Sequence, residues 1–248
     1  MPQISYQLYC SRNHLPLADT LQMLAKTGYK EVEAYGALLD DVDTLKAGLD
    51  ASGLALRSGH VALEMIESDP AGTIAIARRL GIEKVFAPYL AAEDRPANSD
   101  EWTAFAKRLA AAGKPLQAAG LVFGWHNHDF ECLPTPQGDT PLDLIVAAGD
   151  DIMLELDLGW VKRAGFDPRE WVEKYAGRIT TAHIKDIAPQ GDCSDEDGWA
   201  DVGHGIMDWA PIHSALQAAG VDHYVVEHDN PSDDQRFAAR SLASVKNF

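Results

Sequence analysis

Gln-Ala-Ala-Gly-Leu-Val-Phe-Gly-Trp-His-Asn-His-Asp-Phe-Glu, residues 117–131, compresses the organisation of the whole chain into fifteen positions. A helix-favouring stretch runs into Gly120, a short apolar run follows, and ionisable side chains appear where that run ends. Glycine suits the left-handed position just past a helix because it has no Cβ to clash. A short apolar run after such a stop reads as a buried parallel strand. The same helix–glycine–strand unit recurs at Gly28, Gly53, Gly81, Gly149, Gly177 and Gly220. With the opening run Gln3–Tyr9 there are eight strand candidates, each followed by a helix candidate.

Most glycine intervals are near the roughly 30 residues of a βα unit. Two are longer, and their surplus falls at Ala91–Ser99 after strand four and at Ile187–Met207 after strand seven. Both insertions follow a strand, on the side where barrel active sites are built. Eight units with no GxGxxG or P-loop motif favour a closed (β/α)8 TIM barrel over an open doubly wound sheet. The 248 residues fit one such barrel, so 1–248 reads as a single α/β domain.

Composition narrows the function. Against 38 acidic residues stand 21 Lys and Arg, a formal net charge of −17. A surface of that sign opposes nucleic acid and anionic membranes as partners, and with them a nuclease reading of the same fold. Cys10, Cys132 and Cys193 form no CxxC pair, so neither a thiolate zinc cage nor a disulfide framework is expected. No basic-then-apolar leader opens the sequence and no apolar run approaches membrane-spanning length, so the expectation is a cytoplasmic enzyme. Oligomeric state stays open, a homo-oligomer included.

Strand interiors read as apolar, with ionisable groups gathered at one end: Glu33, His60, His126 and His128, Glu155 and Asp157, His183 and Lys185, Glu227 to Asp229. Residues two apart on a strand share a face. Carboxylates mixed with imidazole suit one divalent ion, Mn2+ first, with Mg2+, Co2+ or Zn2+ as alternatives. The expected ligands are Glu131, Asp157, His183 and Glu227, which leave positions open for substrate.

The segments HNHDFE, LDLGW, HIKD, VGHGIMDW and VVEHD, in this order along nearly the whole chain, resemble the sugar phosphate isomerase/epimerase family of xylose-isomerase-like barrels. The resemblance implies one metal bound by Glu, Asp, His and Glu, at the same four positions. One departure stands out: His126-Asn127-His128 occupies the place where ketose epimerases carry their first metal carboxylate, an arrangement nearer the inosose dehydratase branch. The chemistry expected is proton transfer next to a carbonyl of a small sugar-like substrate through a metal-stabilised enediolate. Reprotonation gives isomerisation or epimerisation; loss of a β-substituent gives lyase or dehydratase chemistry on a keto-sugar, keto-inositol or keto-glycoside. Acid/base candidates are Glu131, Glu227, His128 and His60. Substrate contacts are expected from Lys185, Glu33, His126, Trp125, Trp160 and His204, with Phe86 as a further apolar face. Asp192, Asp195, Glu196 and Asp197 read as a solvated loop face.

Overall fold

A computed structural model describes residues 2–14 and 16–248. Eight parallel strands close into a barrel: β1 Gln3–Gln7, β2 Glu31–Ala34, β3 Ala55–His60, β4 Lys84–Ala87, β5 Val122–His126, β6 Met153–Asp157, β7 Ile179–Ile184 and β10 His223–Val226. The ring runs in sequence order from β1 to β7, and β10 pairs with both β7 and β1. Two further strands, β8 Asp186–Ile187 and β9 Trp199–Ala200, form an antiparallel ribbon within the second insertion. Among the described residues no helix is long and apolar enough to cross a membrane.

Six of the seven punctuating glycines hold positive φ, as their place after a helix requires. Gly149 is the exception. The helix Pro141–Ala147 ends instead on right-handed Ala148, and the carbonyls of Val146, Gly149 and Ile152 are collected by the Arg178 guanidinium.

Alternation along the strands separates two environments. Tyr6, Val32, Val85, Phe123, Trp125, Leu154, Leu156, Ala182, Ile184, Tyr224 and Val226 are fully buried and join the helices in one hydrophobic core. The opposite parity fills the barrel with polar side chains, which corrects the expectation of apolar strand interiors. At the amino end Ser5, Lys84, Thr181 and His223 bond to one another. Phe86 and Val225, buried but outside the main core, share this inward parity. Towards the carboxyl end lie Gln7, Glu33, Ser58, His60, Glu155 and His183, all buried.

Candidate metal centre and substrate cavity

Four consecutive barrel positions deliver one group each to a common point. His126 at the end of β5, Asp157 at the end of β6, His183 on β7 and Glu227 just past β10 offer ligand atoms all within 4.8 Å of one another. Each is fixed from behind. Asn127, completely buried, accepts the Asp157 N–H on its Oδ1 at 2.9 Å and so ties β5 to β6. Asp157 caps the next helix by accepting the Trp160 N–H on Oδ1 at 2.8 Å. Its Oδ2 is buried and makes no hydrogen bond. Glu227 Oε2 lies 2.9 Å from His183 Nδ1 and accepts from Lys185 Nζ at 3.3 Å.

A second group lies directly beneath. Glu155 Oε2 sits 2.5 Å from His60 Nε2, 3.1 Å from His126 Nδ1 and 3.2 Å from His183 Nε2. Glu33 Oε1 lies 2.8 Å from His183 Nε2 and accepts from Gln7 Nε2 at the same distance, while Ser58 donates to its other oxygen. Burial would lower the His183 imidazole, but Glu155, Glu227 and Glu33 around it raise its pKa well above the ordinary value. Burial pushes His126 down to about 3 and Asp157 up to about 7, the latter against the pull of Lys185. For Glu227 the burial penalty is outweighed by Lys185 and His183, which hold it well below the usual carboxylate range.

A cavity of about 750 Å³ opens above these groups, a size that suits a small ligand. His60, His126 and Glu227 line it together with the aromatic and charged side chains of Tyr9, Tyr35, Tyr89, Arg95, His128, Trp160 and Asp229. His128 packs tilted against Trp160 at 5.3 Å and stacks on Phe130, and its Nδ1 is buried without a hydrogen-bond partner.

The structure brings together His60, His126, His128, Asp157, Trp160, His183 and Glu227 from the sequence-derived set. It sends others elsewhere. Glu131 is fully buried but accepts from Trp125 Nε1 and from the His128 backbone N–H, both at 2.9 Å, and lies outside both four-residue groups. Burial pushes its carboxyl up to about 8, and its position braces the loop that carries His128. Trp125 has the outward parity of Phe123; it packs edge-on against Phe105 in the core and offers no face to the cavity. Phe86 is completely buried inside the barrel, where it approaches Gly124, and is likewise absent from the cavity wall.

Lys185 is buried between Trp160 and Trp199, its charge shared by Asp229 at 2.6 Å and Glu227. It therefore sets carboxylates rather than lining the cavity. Glu33 lies below the floor. His204 is exposed and borders a separate depression with Cys193, Arg236 and Arg240. The glycines flanking it serve the backbone: Gly203 donates to Asp186, and a Cβ on Gly205 would stand 2.2 Å from Asp186 Oδ1. Glu196 is no solvated loop residue. It is buried, its Oε1 accepting from Ser232 and both of its oxygens accepting from Arg236 Nη2.

Sequence reasoning passed over Glu155 as a site residue, although it shares a face with Asp157. It also passed over Tyr9, Tyr35, Tyr89 and Arg95, which reach the cavity from loops that carry no periodic signal.

Residues 21–247 match the sequence family described as xylose isomerase-like TIM barrel. An inosose dehydratase of Lacticaseibacillus casei is 27% identical over 149 residues, covering 54% of this chain and 49% of the relative. The chain thus spans about half the length of the first curated relatives it matches. A sugar phosphate isomerase/epimerase from Parabacteroides distasonis superposes with a TM-score of 0.83 at 23% identity, covering 99% of this chain and 94% of that one. The IolI protein, solved with a bound zinc atom, superposes with a TM-score of 0.79 at 18% identity, over 100% of this chain and 97% of that one.

Proposed function

Since the chain belongs to the xylose isomerase-like TIM barrel family, we propose that it is a divalent-metal-dependent enzyme moving a proton at the carbon beside a carbonyl of a small sugar-like substrate. The observation that carries this reading is the convergence of four buried ligand-type groups, among them Asp157 Oδ2, which makes no hydrogen bond and has Lys185 Nζ no nearer than 3.8 Å. A buried carboxylate oxygen without a hydrogen bond is costly, and a directly bound cation would remove the cost. His126, Asp157, His183 and Glu227 would hold the ion, with His126 in the role first expected of Glu131. Two imidazoles with two carboxylates suit Mn2+, Co2+ or Zn2+. When bound, the ion supplies Lewis-acid polarisation of a carbonyl and a neighbouring hydroxyl.

The remaining work falls to the chain. Trp160 gives one wall against which the apolar face of a sugar can lie. His128, a cavity-lining imidazole whose Nδ1 is buried without a hydrogen bond, would take the carbon-bound proton in this reading. Lys185 keeps Glu227 and Asp229 in place. Return of the proton at a carbon gives an isomerase or epimerase, the first reading.

The second reading is elimination of a β-hydroxyl or glycosidic group. Two observations favour it: the curated sequence relatives are named inosose dehydratases, and a single glutamate, Glu227, reaches the cavity wall where a paired-glutamate epimerase needs two. Incubation with Mn2+ and a panel of ketoses and keto-inositols in D2O, followed by NMR, separates the two. Deuterium at carbon with the carbon skeleton and its hydroxyls intact supports the first reading; a new enone or a released aglycone supports the second. Neither change on any substrate, with bound metal verified, contradicts both.

A further inference from the structure

The two four-residue groups share His126 and His183, and a different ring nitrogen of each faces Glu155, Nδ1 in His126 and Nε2 in His183. His126 directs Nδ1 at Glu155, which leaves Nε2 for the upper group. His183 directs Nε2 at Glu33 and Glu155, which leaves Nδ1 for Glu227 and Asp157. An imidazole carrying a metal on one nitrogen holds its proton on the other, and a carboxylate behind that proton fixes both tautomer and ring plane.

We propose that Glu155 is the positioning residue of the centre: one buried carboxylate orients both imidazole ligands, seconded by Glu33, so the lower group is the backing of the metal site and not a second metal site. This rests on the metal reading above. Several features support it. Glu155 is completely buried on β6, two residues from Asp157 and on the same face of the strand, so the strand that supplies a ligand also supplies its backing. Its Oε2 is within 3.2 Å of three imidazole nitrogens, more contacts than any other carboxylate oxygen at the site makes to imidazole. A cation placed among the same three nitrogens would have to displace the contacts they already make to Glu155 and Glu33. Both groups hold a buried carboxylate oxygen without a hydrogen bond, Asp157 Oδ2 above and Glu155 Oε1 below, but only the upper group includes a carboxylate that lines the cavity, Glu227.

The proposal requires different tautomers at the two ligands, Nδ1–H at His126 and Nε2–H at His183. The test uses the whole protein loaded with Zn2+. Long-range 1H–15N NMR of the wild type reads the tautomers without any substitution, and competition with a chromophoric chelator reads Zn2+ affinity of the wild type, Glu155→Gln and Asp157→Asn. Expected are the two stated tautomers, an affinity loss of about 10–100-fold for Glu155→Gln with one ion still bound at saturation, and a larger loss for Asp157→Asn. Unchanged affinity in Glu155→Gln, or the same tautomer at both rings, overturns the proposal and leaves the metal reading intact. Retained binding in Asp157→Asn with loss in Glu155→Gln puts the ion in the lower group and overturns it too. A wild type that binds no divalent ion fails the metal reading itself.

Discussion

The two ends of the barrel interior are both polar, but only the carboxyl end opens onto the cavity and leaves buried atoms without a hydrogen bond. At the amino end Ser5 Oγ lies 2.8 Å from His223 Nε2, while Lys84 Nζ and Thr181 Oγ1 lie 3.2 and 3.3 Å from His223 Nδ1. Lys84 also donates to the Thr180 carbonyl at 2.7 Å. None of these side-chain atoms is left without a partner. At the carboxyl end Asp157 Oδ2, Glu155 Oε1 and His128 Nδ1 are buried and make no hydrogen bond. Polar residues alone therefore do not mark a site inside a barrel. A closed hydrogen-bond account is scaffold, and an open one beneath a cavity is chemistry waiting for a ligand.

That contrast predicts opposite phenotypes. His128→Gln at the mouth keeps the shape of the side chain without its basicity, and kcat should fall about 10²–10⁴-fold while the thermal midpoint stays close to that of the wild type. A fall in stability with unchanged kcat would move His128 to the scaffold. Ser5→Ala at the amino end should do the reverse. It strips His223 Nε2 of its partner, and chemical denaturation should report a loss of about 1–3 kcal/mol with kcat and KM unaltered. A change in kcat there would join the two ends into one working unit.

The smallest effect belongs to Glu196 in the second insertion, whose hydrogen-bond partners Ser232 and Arg236 belong to neither polar cluster of the barrel interior. Burial alone would raise the Glu196 carboxyl, but hydrogen bonds from Ser232 and Arg236 outweigh it and hold it down to about 2. A depressed folded pKa stabilises above the unfolded value of about 4.3 and loses that contribution as pH falls towards 2. Glu196→Gln should therefore be less stable than wild type at pH 7 by about 1 kcal/mol. The gap should narrow progressively as pH drops below about 4, as followed by urea midpoints across that range. A gap independent of pH would remove the carboxylate charge from the account.

Much of this was legible because two periodicities are written plainly. Seven glycine stops and the opening run count out eight units, and the parity of His126, Glu155, Asp157 and His183 brings them to one interior. Trp125, expected to contact substrate, belongs to the core instead, as its parity with Phe123 and against His126 requires. The place of Glu131 was not legible. Parity ends with β5 at His126, the chain turns through Asn127, and the Glu131 carboxylate folds back onto Trp125 and the His128 N–H. His204 lies beyond a ribbon whose pairing rests on Asp186 and Trp199, which no short-range pattern announces. Glu196 looked solvated because its partners, Ser232 and Arg236, are distant in sequence.

The central claim is a single divalent ion held by His126, Asp157, His183 and Glu227 at the cavity floor. Its most direct test is anomalous diffraction from crystals of the protein soaked in Mn2+. The account predicts one strong peak among those four side chains, with Glu155 against the far edge of both imidazoles and Glu131 still bonded to Trp125. A peak among His60, His126, Glu155 and His183, a peak on Glu131, or no peak at saturating Mn2+ would contradict it.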